Sequence, residues 1–155
     1  MQLSLLAVGK LRPAFREVCD EYLRRIRRMV PLTEHEVREA GRAGSVAQQR
    51  DEEGKRVLAA LPDHTDLTLL DLDGACWSSE QVAEQLQEWR LQGRPHALVI
   101  GGAVGVAPAV RERASNIWSL GPLTLPHELA RVVVAEQLYR ATTILRGEPY
   151  HKGER

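Results

Sequence analysis

Few residues in this chain are spaced for chemistry of their own. There is no HExxH, no GxSxG and no HxE…CxxC pattern, which removes the common zinc-hydrolase, serine-hydrolase and deaminase signatures. Cys19 and Cys76 stand far apart with no Cys or His at metal-ligand spacing, so no metal site is expected; both read as reduced thiols in a core. Of the five histidines, His35, His64 and His96 fall near expected strand edges or turns and read as surface residues. His127 and His151 flank the last long helical segment, with Tyr150 beside His151. Glu136 and Arg140 stand four apart, a spacing that pairs opposite charges on one helical face. Lacking a nucleophile–base pair, the chain points to chemistry carried by a bound cofactor, with the protein supplying position and electrostatics.

One glycine-rich stretch could approach such a cofactor. Gly101-Gly102-Ala103-Val104-Gly105 directly follows an apolar run, and glycine lets a ligand contact the main chain. The stretch is not the dinucleotide fingerprint G-x-G-x-x-G. No acidic residue follows at a strand end about 20 positions on. Nor is it a Walker loop, since no Gly-Lys-Ser/Thr occurs.

The elements that must position these residues are legible from periodicity. Leu3–Val8 is a compact apolar run closed by Gly9, as in a buried strand. Pro13 opens a helix with Phe15, Val18, Cys19, Tyr22 and Ile26 on one face and Arg16, Arg24, Arg27 and Arg28 around the rest; Pro31 ends it. Leu32–Val37 alternates weakly and reads as a short strand. Ser45 with Gln48 forms a capping box before a polar helix running to about Ala60. Leu67–Leu72 is a strand ending at Asp73-Gly74. Ser78 with Gln81 caps a helix whose apolar face is Val82, Leu86 and Trp89, and Gly93 terminates it. His96–Ile100 is the strand before the glycine turn, Pro108 starts a further helix, and Ile117–Leu120 is a brief strand. Gly121–Pro126 is then a loop leading into a long helix with Leu129, Val132, Val133, Glu136, Tyr139 and Arg140 at three- and four-residue steps. The run Arg131–Ala135 is apolar nearly all round, so this helix requires more than one covering neighbour.

Strands alternating with helices predict an α/β fold with a mostly parallel sheet. Ligands in such sheets sit at the carboxyl ends of strands. Three loops leave such ends, Asp71–Gly74, Gly101–Gly105 and Gly121–Pro126, and the pocket is expected among them. At 155 residues the chain fits one domain, residues 1–155. No apolar run approaches the roughly 20 residues of a membrane span, and MQLSLLAVGK reads as a first strand rather than a signal peptide, so a cytoplasmic protein is expected. Formal charge balances, 21 basic against 21 acidic, which argues against a general polyanion binder. The ends are nonetheless basic: residues 1–28 carry seven Lys/Arg against three Asp/Glu, and residues 131–155 carry five against three. A face built from both ends would be positive and could meet phosphate, with Arg24, Arg25 and Arg28 as its contacts.

The combination VIGGAVG, then WSLGPLTLPHELARVVVAEQLYRA, then the terminal RGEPYHK, resembles the small SPOUT-class RNA methyltransferases of the ribosomal large subunit methyltransferase H family. LLAVGKL, EYLRRI and LDLDG extend the likeness over the whole chain. The resemblance implies a SPOUT-type α/β knot, a deep trefoil knot in the C-terminal half, and a homodimer. It implies an S-adenosylmethionine-dependent enzyme that methylates N3 of a pseudouridine in the helix 69 hairpin loop of 23S rRNA. Matched by position, it places Leu70, Gly101, Leu120, Gly121, Pro122, Leu123, Thr124 and Leu125 around S-adenosylmethionine. Members of the family usually carry a polar or acidic residue inside the glycine turn, where this chain has Ala103-Val104. For the methyl transfer, His151 is the first choice of proton acceptor, Tyr150 stands beside it, and Arg140 would steady the developing anion. The alternatives are a ribosome-associated factor with a vestigial cofactor site and, less in keeping with the missing acidic ribose ligand, a nucleotide-binding oxidoreductase.

Overall fold

The computed structural model describes residues 1–42 and 44–150. Ten elements alternate strictly: β1 (Leu3–Val8), α1 (Pro13–Arg27), β2 (Leu32–Val37), α2 (Val46–Ala60), β3 (Asp66–Cys76), α3 (Ser79–Gln92), β4 (His96–Ile100), α4 (Pro108–Arg113), β5 (Asn116–Ser119) and α5 (His127–Leu145). The strands form one parallel sheet in the order β2-β1-β4-β3-β5.

Period-two alternation sends neighbouring side chains to opposite faces of the sheet. Leu3, Leu5, Ala7, Leu98 and Ile100 face a core shared with α1, α3 and α5. Leu6, Val8, Ala97 and Val99 face a second core shared with α2 and α4. Each fully buried leucine contributes roughly 1.5–3 kcal/mol over an exposed one. The two expected capping boxes are both formed: Ser45 accepts from the Gln48 amide and Ser78 from the Gln81 amide, with each glutamine reaching back. Gly93 closes α3 in the left-handed conformation.

Several details depart from the sequence reading. β3 runs on to Cys76, because a register shift against β5 between Leu70 and Ala75 lets the chain bulge and rejoin. Gly74 sits in that bulge; a Cβ there would lie 2.5 Å from the Ile117 carbonyl carbon and oxygen. β5 ends at Ser119, leaving Leu120 to the loop. On α1 the buried positions are Cys19, Leu23 and Ile26, while Val18 points outward. Cys76, the last residue of β3, is exposed rather than in the core.

His96 is a larger correction. It is buried at the start of β4, stacked on Trp89 at 3.8 Å between centroids, with Nε2 2.8 Å from the Thr68 hydroxyl. Burial penalises the imidazolium and pushes its pKa down to about 4. Strand pairing carried this residue inward, since β4 is the central strand and all five of its residues are covered.

The periodicity of α5 did not say which of its faces meets the core. Its buried positions include Ala130, Arg131, Val134, Ala135, Leu138 and Ala141, packed on α1, α3 and the sheet. Val132, Val133, Glu136 and Arg140 instead form a half-exposed face, with Leu129 exposed. No helix among the described residues is long and apolar enough to cross a membrane.

Candidate functional site

The three loops expected to meet do so. A cleft of about 200 Å³ opens at the carboxyl ends of β3 and β4, walled on its far side by the loop between β5 and α5. Leu70, Asp71 and Leu72 line it from β3, and Gly101, Gly102, Gly105 and Val106 from the glycine turn. Leu120, Leu123, Thr124 and Leu125 come from the loop, and His127 and Ala130 from the first turn of α5. Gly121 and Pro122 belong to that loop without lining the cleft. Gly121 takes φ 116°, and its amide donates to the Ser119 hydroxyl at 3.1 Å, which turns the chain out of β5.

Glycine is required at the turn for space. A Cβ on Gly101 would lie 2.6 Å from a Val106 methyl, and one on Gly102 would lie 3.0 Å from Val8. The turn is held from behind by α2: Arg50 Nε donates to the Val104 carbonyl, and Gly54 lets α2 approach Ala107. Glycine main chain therefore lines a cleft whose described side chains are mostly apolar, with Leu123 well exposed to solvent. Such a wall suits a flat heteroaromatic ring held by main-chain hydrogen bonds and leucine contact. Among the described residues, the polar side chains on the cleft wall are Asp71, Thr124 and His127. The sequence places Asp71 in one of the three pocket loops and His127 beside the long helix, but assigns neither of them to the cofactor or to catalysis.

On the other side of the same helical turn the chemistry differs. Glu128 accepts from the Arg12 amide at 2.7 Å and from Arg12 Nε at 2.8 Å, which holds its carboxyl below the usual range. Arg131, almost wholly buried, donates to the Gly9 carbonyl at 3.2 Å and pairs with Glu34 at 2.7 Å and with Glu36. Arg16 bridges Glu34 and Glu36, each at 2.7 Å. This network fastens α5 to the end of β1, to α1 and to the edge strand β2.

The residues assigned to proton transfer lie elsewhere. Arg140 is ion-paired with Glu136 at 2.7 Å and lies over the Tyr150 ring. Tyr150 packs edge-on against Tyr139 with centroids 4.7 Å apart, and its hydroxyl donates to Glu136 at 3.3 Å. Burial, followed by contact with the Tyr22 hydroxyl and the Glu136 charge, raises the Tyr150 pKa, so the phenol stays protonated. Glu136 lies nine residues beyond His127, roughly 13 Å along a helix rising 1.5 Å per residue. The Tyr150–Arg140 cluster and the cleft are thus separate places on one chain. His151 falls outside the described residues. Of the basic helix, Arg24 and Arg25 both pair with Glu21, and Arg25 also covers Tyr22 and Tyr139.

Comparison with known proteins bears on the family and the fold. A family model described as "Predicted SPOUT methyltransferase" matches residues 1–151. Curated relatives named "Ribosomal RNA large subunit methyltransferase H" include one from Xanthomonas oryzae pv. oryzae, 43% identical over 98% of this chain and 99% of the relative. Another, from Xanthomonas campestris pv. campestris, is 44% identical with the same coverage. Among solved structures, the SpoU methyltransferase AviRb from Streptomyces viridochromogenes is similar in fold, with TM-score 0.50 and 15% identity. That match covers 95% of this chain and 61% of AviRb. The cleft at the carboxyl edge of a parallel sheet, the loop that walls it and the near-complete match together show that this chain belongs to the SPOUT methyltransferase family, among the ribosomal RNA large subunit methyltransferase H proteins.

Proposed function

We propose that this rRNA methyltransferase transfers the methyl group of S-adenosylmethionine to N3 of a pseudouridine in the helix 69 loop of 23S rRNA. Its substrate is the large subunit or the assembled ribosome, and it acts in the cytoplasm. The observation that carries the reading is the cleft itself: Leu70, Gly101, Leu120, Leu123, Thr124 and Leu125, distant in sequence, line one apolar wall with exposed backbone. These residues, with Gly121 and Pro122 shaping the loop, would hold the cofactor. When bound, it supplies an electrophilic sulfonium methyl. The protein's own task is to orient the pyrimidine ring for in-line attack and to take up the N3 proton.

Tyr150 is a hydrogen-bond donor in this role, because its phenol is kept protonated. Proton acceptance falls to His151. Arg140, oriented by Glu136, would steady charge developing on the imide. The separation between this cluster and the cleft on its own chain favours action across a two-fold homodimer, with the tail of one protomer serving the cleft of the other. The half-exposed face carrying Leu129, Val132 and Val133 is the surface proposed to form the dimer. The reading takes residues 1–155 as one domain with a deep trefoil knot in its C-terminal half.

Calorimetric titration with S-adenosylmethionine tests the cofactor, and no binding by folded protein would defeat the reading. Mass spectrometry of 23S rRNA fragments from cells with and without the gene tests the substrate; an unchanged methylpseudouridine signal would overturn it. Mixed dimers of one subunit lacking residues 148–155 and one with a cleft lesion should recover activity. Val133→Asp should yield monomers by sedimentation, since a buried unpaired carboxylate at an interface is costly.

A further inference from the structure

The geometry points to Asp71 as the group that reads the ribose hydroxyls of the cofactor, a role that rests on the proposed use of the cleft. The glycine turn at the end of β4 is not followed by the acidic residue that a dinucleotide fold uses to bind ribose. In space, however, the position beside the turn is filled from upstream in the chain. β3 lies next to β4 in parallel register, with Leu70 opposite Ile100. The next residue of β3 is Asp71, and Gly101 is the first residue after β4. Both line the cleft, so a carboxylate shares its wall with the first glycine of the turn.

The surroundings of Asp71 prepare it to accept hydrogen bonds. It lines the cleft and is the one carboxylate among the described wall residues. Oδ1 accepts from the Leu72 amide at 2.7 Å, and Oδ2 is ion-paired with Arg111 from α4. Both contacts fix the orientation of the carboxylate. Each oxygen still has a second lone pair, so the vicinal hydroxyls of a ribose can donate to it. Leucines and glycine backbone supply the neighbouring surface for the adenine. Thr124 and His127 are the other polar side chains on the wall, and neither can remain an obligate acceptor beside a diol as an ionised carboxylate does. Arg111 acts as a positioning residue: it holds the acceptor and does not itself line the cleft.

The test is calorimetric binding of S-adenosylhomocysteine and of its 2′-deoxy and 3′-deoxy counterparts to full-length protein. The wild type should bind at least one deoxy compound about 10- to 100-fold more weakly than the parent, the range expected for a hydrogen bond to a charged group. Asp71→Ala should bind the parent more weakly by a similar factor and lose discrimination among the three. Asp71→Asn, which keeps shape and one acceptor, should fall between and guards against a folding defect in the alanine variant. Arg111→Leu, which frees the carboxylate without removing it, should narrow the discrimination part of the way toward that of Asp71→Ala. If Asp71→Ala and Asp71→Asn both discriminate as the wild type does, or if the wild type does not discriminate, Asp71 does not read the ribose. Failure of the wild type to bind the parent compound would instead defeat the cofactor reading on which the assignment rests.

Discussion

The first turns of α5 separate two regions built by opposite means. Toward β1 and α1 they carry Glu128 and Arg131, whose charges are buried and paired with Arg12, Glu34, Glu36 and the Gly9 carbonyl. Toward β3 and β4 they carry His127 and Ala130 on the wall of a cleft that is mostly leucine and glycine backbone. One side is fastened; the other leaves apolar surface uncovered, with Leu72 and Leu123 exposed. A ligand site needs both, because a loop can present a preformed wall only if the helix that anchors it does not move. The fastened side costs desolvation of several charges, and the open side costs exposed hydrocarbon. The fold accepts both costs within two turns of one helix.

The largest effect should come from breaking the fastened side. Arg131→Met removes the buried cation and leaves Glu34 and Glu36 with Arg16 alone, so stability should fall by about 3 kcal/mol in urea denaturation. A loss below about 1 kcal/mol would mean that the network does not hold the helix. Next in size is a pH effect at the closed opposite end of β4. His96 has a folded pKa near 4 against about 6.5 in an unfolded chain. Below pH 6.5 the unfolded chain takes up a proton that the folded chain refuses. The stability contribution is therefore full above pH 6.5 and falls away toward pH 4, by up to about 3 kcal/mol. His96→Gln should flatten that part of the unfolding profile, and parallel profiles for variant and wild type would contradict the burial argument.

A change on the open side should leave stability alone and move binding. Leu123→Ser should alter the unfolding free energy by less than about 0.5 kcal/mol, since the side chain is already exposed. It should nonetheless weaken S-adenosylmethionine binding about threefold to tenfold through lost apolar contact. Should Leu123→Ser instead unfold more easily with unchanged affinity, the assignment of the loop as a binding wall would be reversed.

Much of this was legible in the chain. Alternation of apolar runs with capped helical patterns was enough to predict the parallel sheet, and both capping boxes formed where Ser45 and Ser78 stand. Glycine spacing and strand ends located the cleft. The reading of His96 as a surface residue failed because it depends on what packs from outside the local segment. His96 looked peripheral because it begins a strand, but that strand is central in the sheet. The three- and four-residue steps on α5 were real, yet two adjacent stripes are both apolar enough to be the core side. Contact with α1 and α3 selected the stripe through Val134 and Leu138.

The sequence by itself determined the element order, the glycine turn that no side chain could fill, and the class of chemistry, since those depend on local period, backbone geometry and motif. Only the tertiary structure decided that Arg131 is buried, that Asp71 shares a cleft wall with Gly101, and that Tyr150 lies away from its own cleft. Each of those is a relation between segments far apart in the chain. Such relations are set by strand order and helix packing, which sum many weak contacts that no single stretch of residues contains.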